Sequence, residues 1–168
     1  RAKFAVLREA ARTAIGNYLG ADPDEVAITR NTSEGNNTIV AGVDLGPGDE
    51  VVLWDQNHPT NSISWDVRAE RAGFSVKRVA TPPEPGSMQE LSDVFASALS
   101  PRTRVLAFSH VSNATGVALP ADELCAIARD RGILTLVDGA QTCGAMGLDL
   151  HAMGCDFFTA SAHKWLTG

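Results

Sequence analysis

Apolar positions along this chain switch repeatedly between a helical and an extended period. Phe4, Leu7, Ala11, Ile15 and Tyr18 recur every three or four residues and Gly20 follows, which predicts a helix closed by glycine. "EVAIT" (25–29) and "EVVLWD" (50–55) read as short strands. Between them "TSEGNNTIVAGV" reads as a helix capped by the hydroxyl of Thr32 or Ser33. Pro59 suits the first turn of a helix that runs to Gly73. "FSVKRV" is a strand, "TPPEPG" a loop, and "SMQE" a capping box that opens a helix through Leu99. "TRVLAFSH" is a strand, "PADELCAIARDRG" a helix, and "ILTLVD" and "CDFFTA" are two further strands.

Continuously apolar strands separated by amphipathic helices are what a parallel sheet covered on both faces requires. The predicted fold is therefore α/β, a three-layer, doubly wound, mostly parallel sheet. No repeat or linker divides it, so residues 1–168 form one domain. A length of 168 residues is enough for a sizeable core. No window approaches the ~18 apolar residues of a membrane span. A net charge of −6 excludes the basic face that nucleic acid needs. Cys125, Cys143 and Cys155 form no metal-ligand spacing and read as buried, reduced thiols of a cytoplasmic protein. The first twenty residues lack the apolar core of a signal peptide. They open inside a helix pattern, so preceding residues, and any targeting segment among them, are expected to be missing.

In such sheets ligands gather at the carboxyl ends of the strands. The strand ends here deliver Thr32 and Ser33; His58; Ser109, His110 and Asn113; Asp138 and Gln141; and Ser161, His163 and Lys164. A helix start with two hydroxyl residues favours a phosphate. An aspartate at the dry end of an apolar strand needs a cationic partner. A lysine in an apolar setting becomes a usable nucleophile, and an imidazole can stack on a flat ring. Phosphate, cationic nitrogen, aldehyde and aromatic ring are the four parts of pyridoxal 5′-phosphate.

The ordered set "RNTSEG", "NHPTN", "SHVSNATG", "VDGAQ" and "SAHKWLTG" resembles the large domain of the class V aminotransferase-fold enzymes. These are fold type I pyridoxal-phosphate enzymes that include cysteine desulfurases, selenocysteine lyases and isopenicillin N epimerases. The resemblance implies Lys164 as the Schiff-base lysine, Asp138 as partner of the pyridine nitrogen and Gln141 as partner of the ring hydroxyl. It implies His58 on the ring face, Thr32, Ser33, Ser161 and His163 around the phosphate, and Asn113 near the ring hydroxyl. Gly139 is expected to allow a sharp turn that lets Asp138 and Gln141 address one ring. It implies a homodimer acting on a small amino-acid substrate. The C-terminal small domain and the arginine that grips the substrate carboxylate would lie outside this stretch. The sheet would then keep an open edge, carrying Phe157 and Phe158, beside its last strand.

Taken singly these residues have plainer readings: Asp138, Thr32 and Ser33 as helix caps, His58 as a loop residue, Lys164 as a surface lysine. Their placement on successive strand ends reverses that. His110 reads as structural, and Trp54, Trp65 and Trp165 as core or interface packing. Cys143 follows the "DGAQ" turn and is a candidate to line the pocket, but not to accept sulfur. Many desulfurases carry a second histidine after the stacking one; "NHPTN" does not, which favours an epimerase-like or C–S lyase-like enzyme over a cysteine desulfurase or selenocysteine lyase. A non-catalytic ligand-binding module is the alternative of another class.

Overall fold

The computed structural model describes residues 2–82 and 84–167. Helix α1 (Ala2–Leu19) leads through a 3-10 turn (Pro23–Glu25) to α2 (Thr32–Gly42). Then follow β1 (Glu50–Trp54), α3 (Pro59–Ala72), β2 (Ser75–Val79), α4 (Met88–Ala98) and β3 (Thr103–Ser109). The chain finishes with α5 (Ala121–Asp130), β4 (Leu134–Asp138), α6 (Leu150–Met153), β5 (Phe157–Thr159) and α7 (Ala162–Trp165). The five strands form one sheet in the order β2-β1-β3-β4-β5, and every pairing is parallel.

Alternation along each strand explains why both faces are covered. Val52, Trp54, Leu106, Phe108 and Val137 point into a core closed by Leu91 and Phe95 of α4 and Leu124 and Ala128 of α5. Their neighbours Val51, Leu53, Val105, Ala107 and Leu136 point into a second core with Val40 of α2 and Trp65 of α3. A strand buried on both faces has no polar positions to spare, hence the unbroken apolar runs. The strand order reverses direction between β1 and β3, so a crevice opens there at the carboxyl ends.

Several local expectations are corrected. Among the described residues "EVAIT" joins no sheet; Val26–Thr29 has no ladder partner. It instead flanks a cavity of about 520 Å³ whose opposite wall includes Phe158 and Ala160. β5 bonds only to β4, so an open edge is present among the described residues, although Phe157 and Phe158 are half-buried against the two cores. The cap of α2 is Asn31, whose side chain accepts from the Glu34 N–H, because Thr32 turns inward. Ser87 caps α4, but Glu90 reaches back to the N–H of Gly86 rather than of Ser87. On α1 the periodic residues are not core: Phe4 is 74% and Leu7 58% exposed. Trp54 and Trp65 are fully buried, whereas Trp165 is 52% exposed.

His110 is buried beside β3, and its Nδ1 has no hydrogen-bond partner among the described residues. Burial lowers its pKa from the ordinary 6.5, with Asp122 opposing. A depressed histidine contributes stability that is present above its ordinary pKa and lost as pH falls through the folded value. The urea midpoint of the protein should therefore fall between about pH 7 and pH 5 by more than that of His110→Gln. Parallel pH profiles would show that the ring is solvated in the folded state.

Candidate functional site

β4 delivers Asp138 at the carboxyl edge, in register with Ser109 of β3 and Thr159 of β5. The carboxylate is 4% exposed. One oxygen accepts from the N–H of Ala140 at 3.0 Å and the other from the Asn36 side-chain amide at 3.0 Å. Where the sequence argument called for a cation, two neutral donors stand, and no salt bridge to Asp138 occurs among the described residues.

The first turn of α2 meets the residues after β5. The N–H of Thr32 donates to Ser161 Oγ at 2.9 Å, and the two hydroxyls are hydrogen-bonded at 2.5 Å. Both residues are buried, and Ser33 beside them is half-buried. Ser161 and Asn31 take the N–H groups of Thr32, Glu34 and Gly35, so among the described residues this helix start offers the Ser33 N–H and its dipole at the same edge as Asp138. His163 and Lys164 follow on α7 and are both exposed. Lys164 is therefore not enclosed by the apolar residues of β5, because the chain leaves the sheet before reaching it.

His58 caps α3, its Nδ1 accepting from the Thr60 N–H at 3.3 Å and bonded to the Thr60 hydroxyl at 2.8 Å. It is placed by Asn57, which the sequence reading passed over. Asn57 Nδ2 donates to the carbonyl of Ala107 at 2.9 Å, and its Oδ1 accepts from the N–H of Ser109 at 2.7 Å. This bridges β1 and β3 at the crevice. Its signal was a polar residue three positions beyond the apolar end of β1 and next to His58. Asn36 was also missed; it lies four residues after Thr32, on the same face of α2.

Thr32, Ser33, His58, Asn113, Asp138, Gln141, Ser161, His163 and Lys164 all line a single cavity of about 220 Å³. Cys143 does not; it faces the larger cavity beside Ile15, Tyr18 and Phe158. Burial raises the thiol pKa of all three cysteines, to about 12 for Cys125 and about 11 for Cys155.

Gly139 is required for a different reason from the one expected. Its φ is not positive, but a Cβ there would overlap the ring of Phe158. Gly139→Ala should destabilise by about 1–3 kcal/mol, the usual range for overpacking. Phe158→Leu in the same chain should recover much of that loss, as read from urea midpoints.

The model of the family described as aminotransferase class-V matches residues 1–168. The chain belongs to the aminotransferase class-V family. Among class-V relatives it is 42% identical over 159 residues to isopenicillin N epimerase of Amycolatopsis lactamdurans, covering 93% of this chain and 40% of that protein. It is 35% identical over 160 residues to cysteine desulfurase of Klebsiella pneumoniae (strain 342), covering 93% and 39%. The cystine C–S lyase C-DES with its product cysteine persulfide superposes with a TM-score of 0.90 at 30% identity, covering 99% of this chain and 45% of that one. A lysine-to-alanine variant of C-DES with glycine covalently linked to its PLP cofactor gives the same TM-score at 29% identity and the same coverage. The class-V chain described here thus spans about two-fifths of the length of the curated relatives it matches. No helix among its described residues is long and apolar enough to cross a membrane.

Proposed function

We propose that this chain is the pyridoxal 5′-phosphate-binding large domain of a class-V enzyme that acts at the α-amino carbon of a small amino acid or derivative. The observation that carries this reading is the convergence of a helix N-terminus, a buried carboxylate, an imidazole and a lysine on one cavity. The donor set fits the cofactor. Asp138 is buried with neutral donors only, which leaves its charge to be met by a protonated ring nitrogen. The hydroxyls and N–H groups around Thr32 and Ser161 suit a phosphate.

When bound, pyridoxal 5′-phosphate supplies an electron sink for charge developing at the substrate Cα. Thr32, Ser33, Ser161 and His163 would hold its phosphate at the start of α2. Asp138 would keep the ring nitrogen protonated, Gln141 and Asn113 would hold the ring hydroxyl, and His58 would cover the ring face. Lys164 would hold the group through Nζ and would supply the amine that moves the proton at the substrate Cα.

Within the family the epimerase-like or C–S lyase-like reading is favoured over a cysteine desulfurase or selenocysteine lyase, because Pro59 rather than a second histidine follows His58 in "NHPTN". Intact Lys164 and Asp138 argue against a non-catalytic binding module. Titration with pyridoxal 5′-phosphate should produce a visible absorption band, and borohydride should fix the cofactor to Lys164 in peptide maps. Absence of a band, or fixation at another lysine, overturns the assignment.

The same reading includes a homodimer and a covering small domain. Size-exclusion chromatography of the 168 residues alone should then give self-associated or weakly loaded protein. A monodisperse, tightly loaded monomer of 17.7 kDa would count against both.

A further inference from the structure

Asn36 is fully buried in the second turn of α2, and both ends of its side chain are used. Nδ2 donates to Asp138 Oδ2 at 3.0 Å, and Oδ1 accepts from the hydroxyl of Thr159 at 2.6 Å. Thr159 is itself buried at the end of β5. The other Asp138 oxygen accepts from the Ala140 N–H.

These partners fix the chemistry as well as the place of Asp138. A backbone N–H and an amide N–H can only donate, so both satisfy a carboxylate. Neither could accept the O–H of a carboxylic acid. In the orientation seen, the amide presents its NH₂ to Asp138 and its oxygen to the Thr159 hydroxyl. Turning it over would set oxygen against a carboxylate oxygen, which is what disfavours the flip while Asp138 is ionised. An arginine or lysine in this position would also hold a carboxylate, but it would neutralise it. The amide holds the anion without cancelling its charge.

We infer that Asn36 is a positioning residue, held in turn by Thr159, that keeps Asp138 anionic, oriented and uncompensated for a cationic ring nitrogen. The inference rests on the proposed placement of Asp138 against the cofactor. The same helix face carries Thr32, one turn earlier and bonded to Ser161. Four residues of α-helix rise roughly 6 Å, so α2 sets the spacing between the phosphate end and the ring-nitrogen end of the site.

The decisive variant is Asn36→Asp. At acid pH the new carboxyl is protonated and can donate to Asp138 as the amide does; as pH rises it ionises and two carboxylates face each other. Cofactor affinity of Asn36→Asp should therefore approach wild type at about pH 5 and weaken by about tenfold or more by about pH 8, with no comparable loss in wild type. Asn36→Ala and Thr159→Val should keep the borohydride adduct at Lys164 while changing the pH dependence of the bound cofactor's absorption band. Circular dichroism spectra will show that each variant is folded. Folded variants with wild-type affinity and spectra across this pH range overturn the inference, even where the adduct at Lys164 forms.

A cofactor-free measurement separates this from failure of the functional reading. In the apo-protein, the urea midpoint of Asn36→Asp should fall relative to wild type as pH rises from about 5 to about 8, because the new carboxyl ionises against Asp138. A difference that does not change with pH overturns the role of Asn36 whether or not the wild-type protein takes up cofactor.

Discussion

Lys164→Ala should leave a folded protein in which borohydride fixes no cofactor. Turnover by the enzyme that carries this domain should fall by at least roughly 10²- to 10⁴-fold, the usual contribution of a positioned acid–base group alone. On the proposed reading the anchor and the proton carrier are lost together, which places the expected figure at the upper end. The fold gives this variant a clean background. Lys164 is exposed on the short α7, past the last strand, and makes no hydrogen bond or ion pair among the described residues. Surface changes of that kind usually move stability by less than about 0.5 kcal/mol. A peptide map showing cofactor fixed elsewhere, or turnover near normal, would remove Lys164 from the reaction.

Asp138→Asn should have the next largest effect. A neutral amide cannot keep the ring nitrogen protonated, and losing one preorganised electrostatic contact removes about 3–4 kcal/mol of transition-state stabilisation, or some 10²- to 10³-fold in rate. The site geometry adds an expectation about stability. Both oxygens of Asp138 face donors, from Ala140 and Asn36. An asparagine amide would set its own NH₂ against one of them, leaving buried donors unpaired at about 1–3 kcal/mol unless the Asn36 amide turns over to accept and donates to Thr159 instead. The variant should thus be less stable as well as slower, measured by urea unfolding and steady-state kinetics. A rate drop smaller than about tenfold (1.4 kcal/mol) would mean that Asp138 does not face the ring.

The centre of the sheet was legible because β1, β3 and β4 are runs whose two faces are both buried, and such runs have no other comfortable home; β2 is an edge strand with Ser75, Lys77 and Arg78 exposed. The residues after those runs were legible for the same reason, as the first polar positions beyond a dry strand. Periodicity could not say what an element packs against. The face of α1 with Phe4 and Leu7 is amphipathic in sequence yet exposed, and "EVAIT" is extended yet unpaired among the described residues. Nor does local sequence report contacts made across the chain. Gly139 is dictated by Phe158, and Asn57 by the backbone of a strand some fifty residues later. Thr32 reads as a cap until Ser161 is brought to it, and then Asn31 takes that role.

Those long-range bonds also impose an order in time. Thr32 and Ser161 are 129 residues apart, Asn36 and Thr159 are 123 apart, and Asn36 and Asp138 are 102 apart. Local helices and neighbouring strands can form while the polypeptide is still emerging from the ribosome, but contacts of such separation come late. Until β5 has been made and docked, Asn36 has no Thr159 to orient it and Thr32 no Ser161. A nascent chain carrying β1 to β4 would hold much of the hydrophobic framework with an unassembled site. Cofactor capture should then wait for β5 and α7, and pulse-labelled ribosome-bound chains should acquire the borohydride adduct only after the β5–α7 segment clears the exit tunnel.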